Sequence, residues 1–224
     1  MTAVITILFC VAVSAILWKK WIQAVRAEFI RNYRLPKGIF DSLQRKYPHL
    51  EPKDCHLVSR ALRLFFLAHL KSGRKYVSMP SQAVDEVWHD FILNTRDYAK
   101  FCRGAFGRFM HHTPAVVLGS NTKSNEGLRR CWWFACVEEN IDPRKPLRLP
   151  LLFAIDGKLN IPDGFTYVPD CKGVADRESG GPVHCGGSFS DPSVDGTCDG
   201  LGDTPTDSGS DGGSDGGSGC GGGD

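Results

Sequence analysis

The sequence predicts an all-α protein in three parts: one N-terminal membrane-anchor helix, a small irregular helical bundle, and a disordered Gly/Asp-rich tail. Three observations carry that prediction. An uncharged apolar run from Thr2 to Trp18 is followed at once by Lys19 and Lys20. Through the middle of the chain, apolar side chains recur at helical spacing between Pro and Gly stops. Beyond about Gly173 apolar residues are too sparse for burial to offset the entropy of ordering the chain. The corresponding boundaries are 1–22 for the anchor, 23–35 for a basic juxtamembrane helix or linker, 36–172 for the globular body, and 173–224 for the tail.

A spanning helix takes about 20 residues and tolerates about 17, so Thr2–Trp18 suffices once Trp21 and Ile22 extend it into the interface. A cleaved secretory signal carries positive charge before its apolar run and small residues after it. Here the charge follows, and Trp18-Lys19-Lys20 is a poor cleavage site, so an uncleaved anchor is expected. Lys19, Lys20, Arg26, Arg31 and Arg34 all lie after the run, which places the body on the cytoplasmic side of a single-pass membrane protein, at the inner membrane in a bacterium. The alternative for so short a run is an interfacial or buried core helix.

The net charge of +2 hides an asymmetry. Eight of the 25 acidic residues lie between Gly186 and Asp224, where there is no Lys, Arg or Glu, so the remainder sets 27 basic against 17 acidic groups and carries +10. Asp191, Asp195, Asp199, Asp203, Asp207, Asp211 and Asp215 recur every four residues, but the intervening Gly and Pro oppose a helix. The tail therefore reads as a solvated, self-repelling segment. Nucleic-acid binding is not expected, because Lys and Arg are scattered and the tail repels phosphates. The nine cysteines are irregularly spaced, Cys10 lies inside the anchor, and the inferred compartment is reducing, so free thiols are expected.

Within the body, Pro36 and Asp41 bracket a short helical stretch that the prolines of "YPHLEP" end. A helix entered at Pro52 buries Val58, Ala61, Leu62, Phe65 and Phe66 and stops at Gly73; its wide apolar arc marks it as central. Ser78 or Ser81 caps the next helix, which turns Val84, Val87, Trp88 and Phe91 inward. Tyr98, Phe101, Cys102, Ala105 and Phe106 mark another, with Gly104 and Gly107 expected to loosen its end. "SNEGLRRCWWFACVEEN" adds a helix with Leu128, Cys131, Trp132, Ala135 and Cys136 inward. Leu151 to Leu159 fits either a helix entered at Pro150 or two strands turning at Asp156-Gly157; the helix is favoured.

One cluster has the residue types for chemistry. Asp85 and His89 are i and i+4, neighbours on the flank of the buried stripe, while Cys102 lies inward on the next helix and His111 and His112 follow where the pattern weakens. A zinc site built from His89 and His112 and completed by Asp85, Cys102 or His111 uses the N, S and O donors that Zn²⁺ accepts. The plainer reading is a hydrogen-bonded surface pair, a core thiol and a loop. It carries more weight, because neither Cys-x-x-Cys nor His-Glu-x-x-His spacing is present.

"VDEVWHDFILNTRDY" with the downstream "FGRFMHHTP" resembles the glycine-rich domain-containing protein-like family, through Asp85, Trp88, His89, Tyr98 and His112 and over about Pro80 to Pro114. A Gly-rich tail after a helical domain is similar in style. That family's pattern usually sets a second histidine two positions after the first; here Phe91 stands there, which leaves His89 and His112 as the better ligand candidates. The resemblance implies a fold and a site location rather than a reaction.

Two functions follow as expectations. The first is a non-catalytic, membrane-tethered helical module that binds a protein partner. The alternative is a zinc-dependent hydrolase using His89 and His112, in which the metal activates water and Asp85 or a neighbouring acid handles protons. No glycine-rich phosphate loop, nucleophile elbow or pair of catalytic carboxylates supports the alternative.

Overall fold

The computed structural model describes residues 2–112, 122–169 and 183–189, and its secondary structure is mostly helical. The apolar run and the basic stretch after it form one unbroken helix, α1 (Thr2–Asn32). Its first half is exposed, with Ile7, Phe9 and Leu17 all more than 60 % accessible; it is the only described helix long and apolar enough to cross a membrane. Its second half behaves oppositely: Ala27 and Ile30 are buried, and Tyr33 just beyond packs tilted against Phe101 at 4.7 Å. The stretch 23–35, expected as a juxtamembrane helix or linker, is therefore helical to Asn32 and part of the core.

After α2 (Asp41–Lys46), the helix entered at Pro52 becomes α3 (Pro52–Lys71), against which α1, α4 (Gln82–Leu93), α6 (Thr122–Glu138) and α7 (Leu151–Lys158) all pack. Its start is a reciprocal cap in which the Glu51 side chain accepts from the Asp54 amide and the Asp54 carboxylate accepts from the Glu51 amide at 2.9 Å. Gly73 takes a φ of 72° just past its end, the left-handed conformation expected of a glycine stop. The central position follows from the wide apolar arc: Val58, Ala61, Leu62 and Phe65 are all fully buried.

The helix α5 (Thr95–Phe106) does not loosen at its glycines. Gly104 lies inside the helix where the Phe29 ring of α1 approaches so closely that a Cβ would sit 2.8 Å from it. Gly107 is the left-handed cap, at φ 73°. In α6, Leu128, Cys131, Trp132, Ala135 and Cys136 are fully buried as the spacing requires. Leu151 to Lys158 is helical, and Leu152, Phe153 and Ile155 are buried.

The expected boundary at 173 needs one amendment. Val183–Cys185 (β2) pairs in parallel with Thr166–Val168 (β1), Thr166 opposite Val183 and Val168 opposite Cys185. The 3₁₀ turn Gly186–Phe189 follows, and Phe189, only 1 % exposed, stacks on Trp132 at 5.2 Å. One aromatic side chain thus docks a short segment that its average hydropathy would leave loose. The Gly/Asp-rich repeat from 191 onward lies outside the described residues. Cys10, Cys55, Cys102, Cys131 and Cys136 are free thiols.

Candidate functional site

The site depends on how α4 is fixed. Ser81 caps it, its hydroxyl accepting from the Val84 amide at 3.2 Å, as the sequence suggests. A carboxylate that sequence reasoning read only as a possible turn residue does the rest. Asp156, buried on α7, accepts from Ser81 Oγ at 2.6 Å, from the amides of Gln82 and Ala83 at 2.9 and 3.2 Å, and from the Phe165 amide at 3.1 Å. Burial pushes its pKa up, and these four donors oppose that shift. Its negative charge sits at the positive end of the α4 dipole and ties that end to α7 and β1. The available signal was a single acid in an otherwise apolar run, "LLFAIDG".

With α4 held, Trp88 points into the core and its Nε1–H donates to Tyr98 Oη at 3.1 Å. Tyr98 in turn donates to the Met110 carbonyl at 2.6 Å. This chain of bonds from α4 through α5 to residue 110 returns the following segment to the face of α4. The His112 ring lies against Trp88 with centroids 4.7 Å apart, and its Nε2–H donates to Asp85 Oδ1 at 3.0 Å. His89, exposed on the next turn of α4, meets the His112 ring edge to face at 5.5 Å.

Three of the five candidates, Asp85, His89 and His112, are thus brought together. Cys102 is withdrawn into the core, where the Tyr98 hydroxyl and the Met110 backbone bond it and burial raises its thiol pKa. His111 turns elsewhere: it is exposed, packs on Phe109 at 5.1 Å, and shares a cleft with Arg74, Tyr76 and Arg108. Among the described residues no group of three or more His, Cys, Asp or Glu side chains could hold a metal ion, so the candidate zinc ligands do not converge as a set. Cys102 and His111 point away from the other three, and Asp85 Oδ1 is engaged by His112 Nε2–H.

The result is an oriented carboxylate–imidazole pair, with the two side chains 18 % and 24 % exposed, on an aromatic platform. A carboxylate on Nε2–H fixes the tautomer and leaves Nδ1 as the accepting nitrogen. Such a pair can accept one hydrogen bond and hold a ligand or a partner's polar group in register. The Cys102 thiol, withdrawn into the core, has its pKa raised by burial, away from a reactive thiolate.

No curated protein and no solved structure matches the chain. The resemblance to the glycine-rich domain-containing protein-like family is not upheld: the family model that matches is a different one, described as UCP032817-like. The short motif around Asp85 to His112 was a narrow basis for it. The match runs over residues 25–189, from the packed half of α1 to the end of the docked 3₁₀ turn, and the chain belongs to the UCP032817-like family.

Proposed function

We propose that the chain is a membrane-tethered, cytoplasm-facing helical module that binds a protein partner. The observation that carries this reading is the division of α1, whose apolar first half is exposed among the described residues while its second half is built into the core. An exposed apolar helix of this length is stable only in a bilayer or against another protein. Lys19 and Lys20 follow it directly, flanked by Trp18 and Trp21 whose rings lie 5.1 Å apart, which supports an interfacial anchor with its basic flank on the cytoplasmic side. The partner binds the basic body at the polar edge of Asp85, His89 and His112, and the tail offers a second contact of opposite charge.

Fractionation tests the tether: the full-length chain is expected in the membrane pellet, resistant to carbonate and released by detergent. In intact cells a membrane-impermeant thiol reagent should leave Cys220 unmodified, and labelling there would reverse the orientation. Elemental analysis of the purified chain tests the module against the hydrolase. One zinc per chain, lost in both His89→Ala and His112→Ala, would overturn the non-catalytic reading.

A further inference from the structure

At the base of the body, where α1 enters it, cations converge on one cleft and one backbone oxygen. Several cations elsewhere are ion-paired: Arg31 and Lys71 meet Glu138, Lys46 meets Glu86 and Asp163, and Arg148 meets Glu139. Lys19, Arg26 and Arg74 instead line a cleft of about 460 Å³ between α1 and the end of α3, and no carboxylate lines it. Among the described residues none of the three forms an ion pair, and neither does Arg108, whose guanidinium donates to the Arg74 carbonyl.

What holds these arginines is a single backbone oxygen. Arg26 Nη1 and Arg74 Nη1 donate to the Phe106 carbonyl at 3.0 and 2.9 Å. Phe106 ends α5; the Gly107 amide satisfies the carbonyls of Cys102 and Arg103 and leaves that of Phe106 for side chains. A helix C-terminus supplies about half a negative charge, which offsets only part of two guanidiniums converging on one atom. A bridging anion with several acceptor oxygens would complete the balance, using the remaining guanidinium N–H groups in the fork geometry that suits phosphate.

The depth of the cleft identifies the source of that anion. About 20 residues fill the hydrocarbon, so the boundary falls near Trp21; Arg26, five residues further at about 1.5 Å each, lies at headgroup level, and Lys19 can extend its ammonium toward it. Ile22 and Leu70 give the cleft an apolar wall continuous with the exposed face of α1. We propose that Lys19, Arg26 and Arg74 bind the phosphate of an anionic phospholipid, with its acyl chains lying along the apolar half of α1. This rests on the reading of α1 as a membrane span.

The test uses the full-length chain in neutral detergent, supplied with phosphatidylglycerol or phosphatidylcholine, with retained lipid counted by native mass spectrometry. The wild type should retain phosphatidylglycerol several-fold over phosphatidylcholine. Arg74 sits at φ 64°, so Arg74→Gly removes a cation without straining the backbone and should keep the thermal midpoint while lowering the preference about fivefold. Adding Lys19→Gln, at an exposed position, should bring the two lipids toward parity. Equal retention by the wild type, or an unchanged preference in both folded variants, overturns the site. So does inorganic phosphate that displaces the lipid at matched concentration, which would make the ligand a soluble phosphate. A chain that stays in the supernatant without detergent refutes the tether itself; a membrane-resident chain with no lipid preference refutes only the headgroup site.

Discussion

The two halves of α1 are one helix with two degrees of burial. From Thr2 to Trp21 the side chains face outward all round, and from Gln23 to Asn32 the same backbone turns Ala27 and Ile30 into a protein core. The difference shows that an exposed apolar helix need not be joined to its domain by a linker. A rigid helix that enters the core fixes the body's height and rotation relative to whatever holds the apolar half, which places Arg26 and Arg74 at one depth.

Deletions test this contrast with the largest expected effect. Removing residues 1–18 should leave a body that melts cooperatively near the full-length midpoint in detergent. Removing 1–35 should abolish the cooperative transition, because it strips Ala27, Ile30 and Tyr33 from the core and leaves the Phe91–Phe101 surface uncovered. If the shorter fragment melts normally, the second half of α1 is a linker after all. At single-residue scale, Ile30→Ala should cost about 3 kcal/mol in denaturant unfolding, as expected for a fully buried isoleucine. Ile7→Ala, in the exposed half, should change the body's stability by less than about 0.5 kcal/mol.

Acid should act on the body and leave the apolar half untouched. His69 is buried on α3, with its Nδ1 bonded to the Lys75 carbonyl at 3.0 Å and its ring against Phe106 at 4.9 Å. Burial lowers its pKa to about 4, the nearby Arg108 and Arg74 charges push the same way, and the Lys75 carbonyl opposes them. The fold therefore prefers neutral His69. Its contribution is complete above the unfolded value of about 6.5 and is lost as pH falls from there to about 4, a decline of about 3 kcal/mol. Urea midpoints measured across that range should fall in the wild type and flatten in His69→Gln, while membrane residence stays constant. A His69→Gln profile as steep as the wild type would assign the acid sensitivity elsewhere.

What the sequence made legible was periodic and local. The inward sets of α3, α4 and α6, the Ser81 cap, the Gly73 stop and the Asp85–His89 adjacency all follow from spacing within one element. What it concealed depends on distant partners. The composition of α1 changes at Trp18 while the helix runs on unbroken, so the burial of its second half has no local signature. Asp156 looks like a turn residue until Ser81, 75 positions away, donates to it. The segment 183–189 is held by Phe189 on Trp132 and by parallel pairing, neither of which a low average hydropathy reveals. At the site, His112 joined the α4 pair because Tyr98 pins Met110, whereas Cys102 and His111 are turned away by the core and by chain direction.

The smallest effect tests how tightly the packed half of α1 is seated. Gly104 is interior to α5, and a Cβ there would lie 2.8 and 2.9 Å from Phe29 Cζ and Cε1. Alanine favours a helix over glycine by up to about 1 kcal/mol, which works against the clash. Phe29 is 37 % exposed, so its ring can swing aside, but doing so gives up its contacts with Tyr33 at 5.5 Å and Phe101 at 6.0 Å. Gly104→Ala should therefore lose about 1 kcal/mol or less in the wild type and gain a similar amount in a Phe29→Ala background. That change of sign in a double-mutant cycle reports the contact itself, because both variants carry the same alteration in helix propensity. If Gly104→Ala stabilises both backgrounds equally, Phe29 is not seated on α5, and the helix enters the body less deeply than Ile30 requires.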